Sequence, residues 1–506
     1  MKTLTMKPPF ESSPGSENFK EPVLDEQGRK ETVFAESKVP LCVDLDGTLV
    51  KTDTLLESIL ILLKRQPLSL FAMLLWMLRG KSFFKQQIAD RVDLPADALP
   101  YQADFLTHLQ EEFSRGRKLV LVTAANEKIA GAVADHLGFF ALSFASDDQV
   151  NLSGNRKLAL LEEQFGKKGF DYAGNASVDL PIWQGAASGI VVNASGGLTR
   201  KAKAGGNITQ VFSDKKNYFR QFVRAIRMHQ WAKNLLIFVP LLTAHLYTDP
   251  VSVTQSIWAF FAFSLCASSV YVLNDLLDLD ADRRHARKRK RPFAAGNLPI
   301  PLGVAAIPCL LIPGFWIAYS LNPLFLATLL SYYLITFAYS FSLKRIELID
   351  VFTLAILFTM RIFAGAAAIG VLVSQWLLAF SIFLFVSLAF AKRFSELHNL
   401  PKDKEKVGGR GYLSKDLPII GIFGTSSGYI SIVVLTLYTS SEQVEVLYTF
   451  PERLWVICVL LFFWVSRVWL LAYRGELNED PILFAVKDKA SYLVGALAII
   501  TMFLAL

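Results

Sequence analysis

Asn274-Asp275-Leu-Leu-Asp278-Leu-Asp280-Ala-Asp282 stands where a long apolar run meets the basic stretch Arg283 to Arg291. At about 100° per helical residue, Asn274, Asp275, Asp278 and Asp282 fall within an arc of roughly 100°, while Asp280 points away. Three carboxylates and an amide oxygen on one face repel one another unless a cation holds them. Oxygen-only ligands suit Mg²⁺, an ion that shares its shell with substrate phosphates. Asn274, Asp275, Asp278 and Asp282 are therefore candidate metal ligands, with Asp278 and Asp282 the candidate catalytic pair. The bland alternative is a solvated acidic helix end followed by a topological anchor. The position at a membrane edge favours a diphosphate-handling site.

A second constellation lies near the start of the chain. Val39 to Val43 is a short apolar strand pattern that runs into Asp44-Leu-Asp46-Gly-Thr48. In such a motif the first Asp attacks phosphorus, the second donates and takes a proton, and Mg²⁺ screens the charge between them. Leu119 to Val122 is another apolar strand, ending in Thr123, whose hydroxyl can hold a phosphate oxygen. Lys157 offers a cation; Asn175 and Asp179 offer metal-side oxygens beside Asp44 and Asp46.

Three further groups lie in the apolar half. Lys392-Arg393-Phe-Ser-Glu396 leads on to Gly408-Gly-Arg410-Gly-Tyr412, a basic pair and a carboxylate suited to a metal–phosphate clamp. Arg361 sits in mid-segment, where an ionised side chain costs ~2.5–3.5 kcal/mol or more; a buried phosphate is its expected partner. Lys344 lies at the same membrane face as the acidic motif. With Lys233, Asn234 and Arg291 these complete the candidate substrate-binding set.

The elements that must position these groups divide the chain. Of 506 residues, 53% are hydrophobic, and the mean hydropathy of +0.37 is high for an average soluble protein. Residues 1–38 lack an apolar signal-peptide core and read as a disordered arm. An α/β domain is expected over 39–213, with Leu55 to Leu63 and Leu68 to Leu78 as cap helices that pack a core of the cap; contact of the Trp76-Met77-Leu78 end with the bilayer is the alternative. A linker follows over 214–230, and a membrane part over 231–506. The four cysteines are scattered and the six histidines show no ligand spacing, so neither a disulfide framework nor a zinc site is implied. The net charge of +8 lies largely in loops between apolar segments, which excludes a nucleic-acid face.

Nine apolar segments can be drawn, near 232–247, 252–275, 300–320, 323–342, 350–372, 375–393, 417–437, 451–472 and 488–506. Basic residues fall in alternate loops: Arg283 to Arg291, Lys344-Arg345, Lys392 to Lys415, and Arg474 to Lys489. By the positive-inside rule these loops and the N-terminal half face the cytoplasm, in a cytoplasmic or inner membrane.

Asn274-Asp275-x-x-Asp278-x-x-x-Asp282, followed by Lys290-Arg291-Pro292 and Gly296, resembles the first Asp-rich motif of the UbiA superfamily of intramembrane prenyltransferases. Arg227-Met-His-Gln230-Trp231-Ala-Lys233-Asn234 and the Lys-Arg-x-x-Glu after the sixth segment are similar to one branch, the polyprenyl-phosphate phosphoribosyltransferases. Aromatic prenyltransferases of the superfamily carry paired aspartates in a second motif, whereas here only Glu396 stands near that place. The ordered set from Asp44 to Asp179 resembles the haloacid dehalogenase superfamily. Its fourth motif normally reads Gly-Asp, where this chain has Gly174-Asn175.

These resemblances imply an N-terminal α/β, Rossmann-like phosphatase domain with a small helical cap. It is followed by an all-α bundle of nine transmembrane helices. The implied reaction moves 5-phosphoribose from phosphoribosyl diphosphate to a polyprenyl phosphate with Mg²⁺, and the fused domain removes the 5-phosphate. Prenyl transfer from a polyprenyl diphosphate to a small acceptor is the alternative enzyme. A transporter with a regulatory domain is the alternative from another class. The orientation is checked by cysteine labelling in intact cells after removal of the native cysteines. A cysteine at position 287 should stay protected and one at 249 should react; the reverse overturns it.

Overall fold

In the computed structural model the described residues are 23–24, 30–31, 39–205, 207–214, 217–400, 410–477, 481–485 and 487–506. The expected arm at 1–38 and the Gly408-Gly409 pair lie outside them, apart from the two short stretches at 23–24 and 30–31. The chain divides into two compact units, Met1–Leu49 with Tyr101–Ser213, and Val50–Pro100 with Asp214–Leu506.

The first unit is built on six parallel strands: β1 (Leu41–Val43), β2 (Leu119–Asn126), β3 (Leu142–Ser146), β4 (Asp171–Gly174), β5 (Gly189–Val192) and β6 (Ile208–Phe212). Their order is β3-β2-β1-β4-β5-β6. The apolar runs at Leu41–Val43 and Leu119–Val122 are fully buried, as strands covered on both faces require. Helix Glu127–Leu137 packs back onto the sheet. It starts where the Asn126 side chain accepts from Lys128 N, and it ends at Gly138 in the left-handed region. Since β1 pairs with β2 on one side and β4 on the other, the strand order reverses at its C-terminal end. Open parallel sheets carry ligands at such a switch point, and Asp44 follows β1 directly.

The second unit contains the insertion between β1 and β2: α1 (Thr54–Arg65), α2 (Ser69–Leu78) and α3 (Lys81–Ala89). Asp53 caps α1 by accepting from Leu56 N. One side of α1 packs Leu62 with Met73 of α2 and Ile88 of α3. The other packs Leu56 and Leu60 against Val272, Leu276 and Leu279. The expected core packing of the second cap helix holds on one face only: Met73 is buried with Trp76 beside it, while Phe71, Leu74, Leu75 and Leu78 are exposed, Leu78 at 85%. Such a row of apolar side chains outside any core suits contact with lipid.

After helix Tyr218–Ala225 the bundle begins with a 3₁₀ stretch, Met228–Phe238. There follow α4 (Pro250–Leu277), α5 (Leu279–Arg284), α6 (Ile300–Leu321), α7 (Pro323–Phe341), α8 (Ile349–Ile369), α9 (Gln375–His398), α10 (Leu417–Thr439), α11 (Trp455–Tyr473) and α12 (Lys489–Ala505). Among the described residues seven helices are long and apolar enough to span a bilayer, against the nine drawn from sequence. The first drawn segment is the 3₁₀ stretch followed by the short helix Val239–Thr243, with Lys233 and Asn234 buried in it. The last, α12, has 17 residues, short of the ~20 that cross a hydrocarbon core. Seven apolar spans make this an integral membrane protein.

Glu57 is almost completely buried, and Arg283 meets it with two hydrogen bonds, Nη1 to Oε2 at 2.7 Å and Nη2 to Oε1 at 2.5 Å. Arg283 Nε also donates to the Ala294 carbonyl at 2.9 Å. Removing one partner of a buried pair strands the other charge, at a cost of about 3–5 kcal/mol. Glu57→Ala and Arg283→Ala should each loosen α1, read as faster proteolysis in the Gln66–Leu68 turn. The double variant should lose less than the two single effects combined; full additivity refutes the coupling.

Candidate functional site

In the first unit the candidate residues meet at the end of β1. Lys157, on helix Asn155–Phe165, donates to Asp44 Oδ1 at 2.7 Å and to the Tyr172 hydroxyl at 3.1 Å. Thr48 Oγ1 donates to Asp44 Oδ2 at 3.2 Å. Thr123 Oγ1 accepts from Ala125 N at 3.0 Å, which leaves its own proton for an oxygen of a ligand. Asp46 is half-buried beside them in the chain. Gly47 has φ +76°, and a Cβ there would lie 2.0 Å from the Asn175 amide, so both the turn and the neighbour require glycine.

Asp179, expected as a metal ligand, is held by three hydrogen bonds within the protein. Its Oδ2 accepts from Asn175 N (3.0 Å) and Ala176 N (2.9 Å), and its Oδ1 from the Tyr172 hydroxyl (2.9 Å). Both oxygens brace the loop that carries Asn175. Burial first, then the nearby Asp44 carboxylate, raises the Asp179 pKa, and burial raises that of Tyr172 well above its ordinary range.

In the second unit the acidic motif straddles a break. Helix α4 ends at Leu277, Asp278 has φ −102° and ψ 16°, and α5 starts at Leu279. The single-helix arc drawn from sequence is therefore interrupted at Asp278, yet the carboxylates stay at one end of the bundle. Arg291 Nη1 bridges two of them, 3.2 Å from Asp275 Oδ1 and 2.5 Å from Asp282 Oδ2, and Arg227 also pairs with Asp275. Asp278 is held by Lys64 Nζ at 2.6 Å and Lys344 Nζ at 3.7 Å. Burial alone would raise the Asp278 pKa, but Lys344 and Lys64 outweigh it and hold its carboxyl below the usual range. Burial lowers the Lys344 pKa, with Asp278 opposing. Asn274 is half-buried and Asp280 turns away to pair with Arg284, as its spacing requires.

The tract after the sixth drawn segment joins this end through a residue that sequence reasoning missed. Asp350, at the start of α8, is fully buried. It accepts from Arg393 Nε (2.5 Å), Arg410 Nη1 (2.9 Å) and the Tyr339 hydroxyl (2.8 Å). Arg393 also pairs with Glu396, and Arg410 donates to the Lys344 carbonyl at 3.2 Å. The buried Tyr412 hydroxyl accepts from Leu348 N at 2.8 Å, and Lys392 is half-buried beside Arg393 in the chain. A polar track therefore runs from Asp278 through Lys344, Arg410 and Asp350 to Arg393 and Glu396. The available signal was a carboxylate at the first turn of an apolar helix, which is costly unless paired.

Arg361, expected to face a phosphate, is satisfied by protein. Its Nε donates to Asn234 Oδ1 at 2.9 Å, its Nη2 to the Tyr332 hydroxyl at 3.2 Å, and Nη1 to the Leu357 carbonyl. Phe263, Tyr332 and Phe358 each lie with ring centroids 5.2 Å from its guanidinium, and Lys233 sits 5.6 Å from the Phe358 ring. Gly365 of α8 allows the 3₁₀ stretch this close, since a Cβ would fall 2.0 Å from the Ile237 carbonyl oxygen. Lys233, Asn234 and Arg361 thus form a separate group inside the bundle.

Among the described residues no three Asp, Glu, His or Cys side chains converge as a metal cage in either unit. The donor chemistry of the acidic motif nevertheless fits a hard cation. It is all oxygen, and one cationic nitrogen of Arg291 already sits between Asp275 and Asp282.

Comparison with known proteins gives these residues a context. Residues 236–487 match the model of the UbiA prenyltransferase family. A Sinorhizobium fredii protein, the uncharacterized protein y4nM, is 38% identical over 465 residues, 91% of this chain and 90% of that one. The decaprenyl-phosphate phosphoribosyltransferase of Mycobacterium tuberculosis is 34% identical over 180 residues, 35% of this chain and 60% of that one. Among solved structures, a UbiA homolog from Archaeoglobus fulgidus bound to DMAPP and Mg²⁺ aligns at a TM-score of 0.45 and 18% identity, over 56% of this chain and 98% of that one. A HAD family hydrolase from Salmonella enterica serovar Typhi aligns at 0.26 and 14%, over 32% and 66%.

Asp350→Asn should leave the buried Arg393 and the half-buried Arg410 short of a counter-charge, at a cost of about 3 kcal/mol or more. The expected outcome is a lower melting temperature for the detergent-solubilised protein. An unchanged melting temperature removes Asp350 from the role of hub.

Proposed function

Because the chain belongs to the UbiA prenyltransferase family, we propose that its second unit transfers 5-phosphoribose from phosphoribosyl diphosphate to a polyprenyl phosphate at the cytoplasmic face of the inner membrane. The observation that carries this reading is the polar track joining Asp278 to Glu396. It gathers cations and carboxylates at one end of the bundle, which supports a site that would meet the charged headgroup of a lipid. The similarity to decaprenyl-phosphate phosphoribosyltransferases supports the choice of donor and acceptor.

In this reaction an oxygen of the lipid phosphate bonds to C1 of the ribose, and the bond from C1 to the diphosphate breaks. Negative charge accumulates on the leaving oxygen. Lys344 and Arg291 are two cations that would receive it, and both already pair with carboxylates that a phosphate could replace. Mg²⁺, held by Asp275, Asp278 and Asp282, would supply further screening of the diphosphate charge. Asp350 keeps Arg393 and Arg410 in place from behind.

The first unit is proposed to remove the 5-phosphate of the resulting lipid. Asp44 would attack phosphorus and Asp46 would protonate the leaving oxygen. Lys157, 2.7 Å from Asp44, would offset the charge on the phosphoryl oxygens, and Thr123 would donate to one of them. Asn175 stands where a carboxylate is usual, so Asn175→Asp should preserve or raise this activity.

The test uses purified full-length protein with labelled phosphoribosyl diphosphate and polyprenyl phosphate. Label should enter the lipid phase, and Asp278→Asn or Asp282→Asn should lower the transfer at least ~100-fold. Asp44→Asn should leave the transfer intact and let the phosphorylated lipid accumulate. Label from a prenyl diphosphate entering a small acceptor, with none from phosphoribosyl diphosphate, would establish prenyl transfer in its place.

A further inference from the structure

The insertion between β1 and β2 belongs to the same compact unit as the bundle, and it brings a cation to the acidic motif. Leu56, Leu60 and Lys64 recur at i, i+4 and i+8, so they share one face of α1. The first two pack on the residues around Val272, Leu276 and Leu279, and the buried Glu57–Arg283 pair fixes the rotation of the helix. Lys64 therefore arrives at Asp278 with little freedom, its Nζ 2.6 Å from Oδ1.

Behind Lys64 lies a cavity of about 500 Å³, the size range of small-ligand sites. Lys64, Arg65, Arg283, Arg284 and Arg345 line it, against Glu57, Asp93 and Asp280. Arg283 is spent on Glu57, and Arg284 pairs with Asp280 and Asp97. Among the described residues Arg65 and Arg345 make no ion pair. Arg65 and Arg345, both solvent-exposed, line the same concavity as Lys64, whose Nζ also touches Asp278; three cations around one concavity suit a ligand with more than one anionic group.

We propose that this cavity is a binding site for the phosphorylated donor: Lys64 grips the diphosphate beside Asp278, and Arg65 with Arg345 hold a second phosphate at the far end of the sugar. The assignment rests on the proposed phosphoribosyl transfer and adds Lys64 and Arg65, which the helical bundle alone does not contain, to Arg345 of the bundle. It makes the insertion part of the transferase. Arrival of the diphosphate moves Lys64 from the carboxylate to a phosphate oxygen and frees Asp278 Oδ1.

The experiment measures binding by calorimetry on the full-length protein in detergent, without acceptor, with magnesium diphosphate and with ribose 5-phosphate as separate probes. A charge-assisted hydrogen bond to a phosphate contributes about 1.5–3 kcal/mol, so Lys64→Met should weaken diphosphate binding about 10- to 100-fold. Lys64→Arg should restore most of it. Arg65→Gln with Arg345→Gln should weaken ribose 5-phosphate at least about 10-fold and diphosphate far less. These two side chains line the cavity surface, so the double variant remains informative if Lys64→Met fails to fold. Wild-type binding of both probes that no variant changes overturns the cavity while leaving the transfer reaction standing. Failure of the wild type to bind either probe overturns both.

Discussion

A carboxylate at the end of an apolar helical bundle loses its water, and the loss is tolerated only where a cation or several hydrogen bonds replace it. The second unit is organised by that requirement. Asp275 and Asp282 share Arg291, Asp278 draws Lys64 and Lys344, Glu57 takes Arg283, and Asp350 takes Arg393 and Arg410. Arg291 closes a local loop onto Asp275 and Asp282, whereas Lys64–Asp278, Arg283–Glu57 and Arg410–Asp350 tie together segments 60 or more residues apart, so the same electrostatics that permits burial also builds the site.

The first unit meets a similar problem with a different solution. Its site forms where the strand order reverses, and the backbone there does part of the neutralising. Asp179 is satisfied by two amides and a tyrosine, which stiffens the loop carrying Asn175. Asp44 is left facing Lys157 and Thr48 at the mouth of the sheet. Fusion of the two units on one chain is shared with the Sinorhizobium fredii relative, which aligns over nearly its whole length.

Much of this was legible in the amino-acid sequence, and for identifiable reasons. Buried parallel strands announce themselves as unbroken apolar runs, so Leu41–Val43 and Leu119–Val122 were readable, as was the acidic end of the second apolar run. Asp280 points away as its spacing demands. Helical spans follow from length and hydropathy, and seven of the nine drawn have the length to cross a bilayer. The first drawn segment already read as short for a span and carried Lys233 and Asn234, but hydropathy averages over a window and could not give its 3₁₀ geometry over Met228–Phe238.

What the sequence by itself determined was therefore local: strand cores, most spans, the motif residues and their chemical type. The tertiary structure decided which charge answers which. Arg361 went to aromatic rings and an amide, Asp350 emerged as a hub, and the insertion joined the bundle so that Lys64 reaches Asp278. Periodicity and composition act over one or two helical turns, whereas ion pairing acts across whatever segments folding brings within 4 Å. No single stretch of sequence carries that information, because a charge specifies only the sign of its partner and never the address.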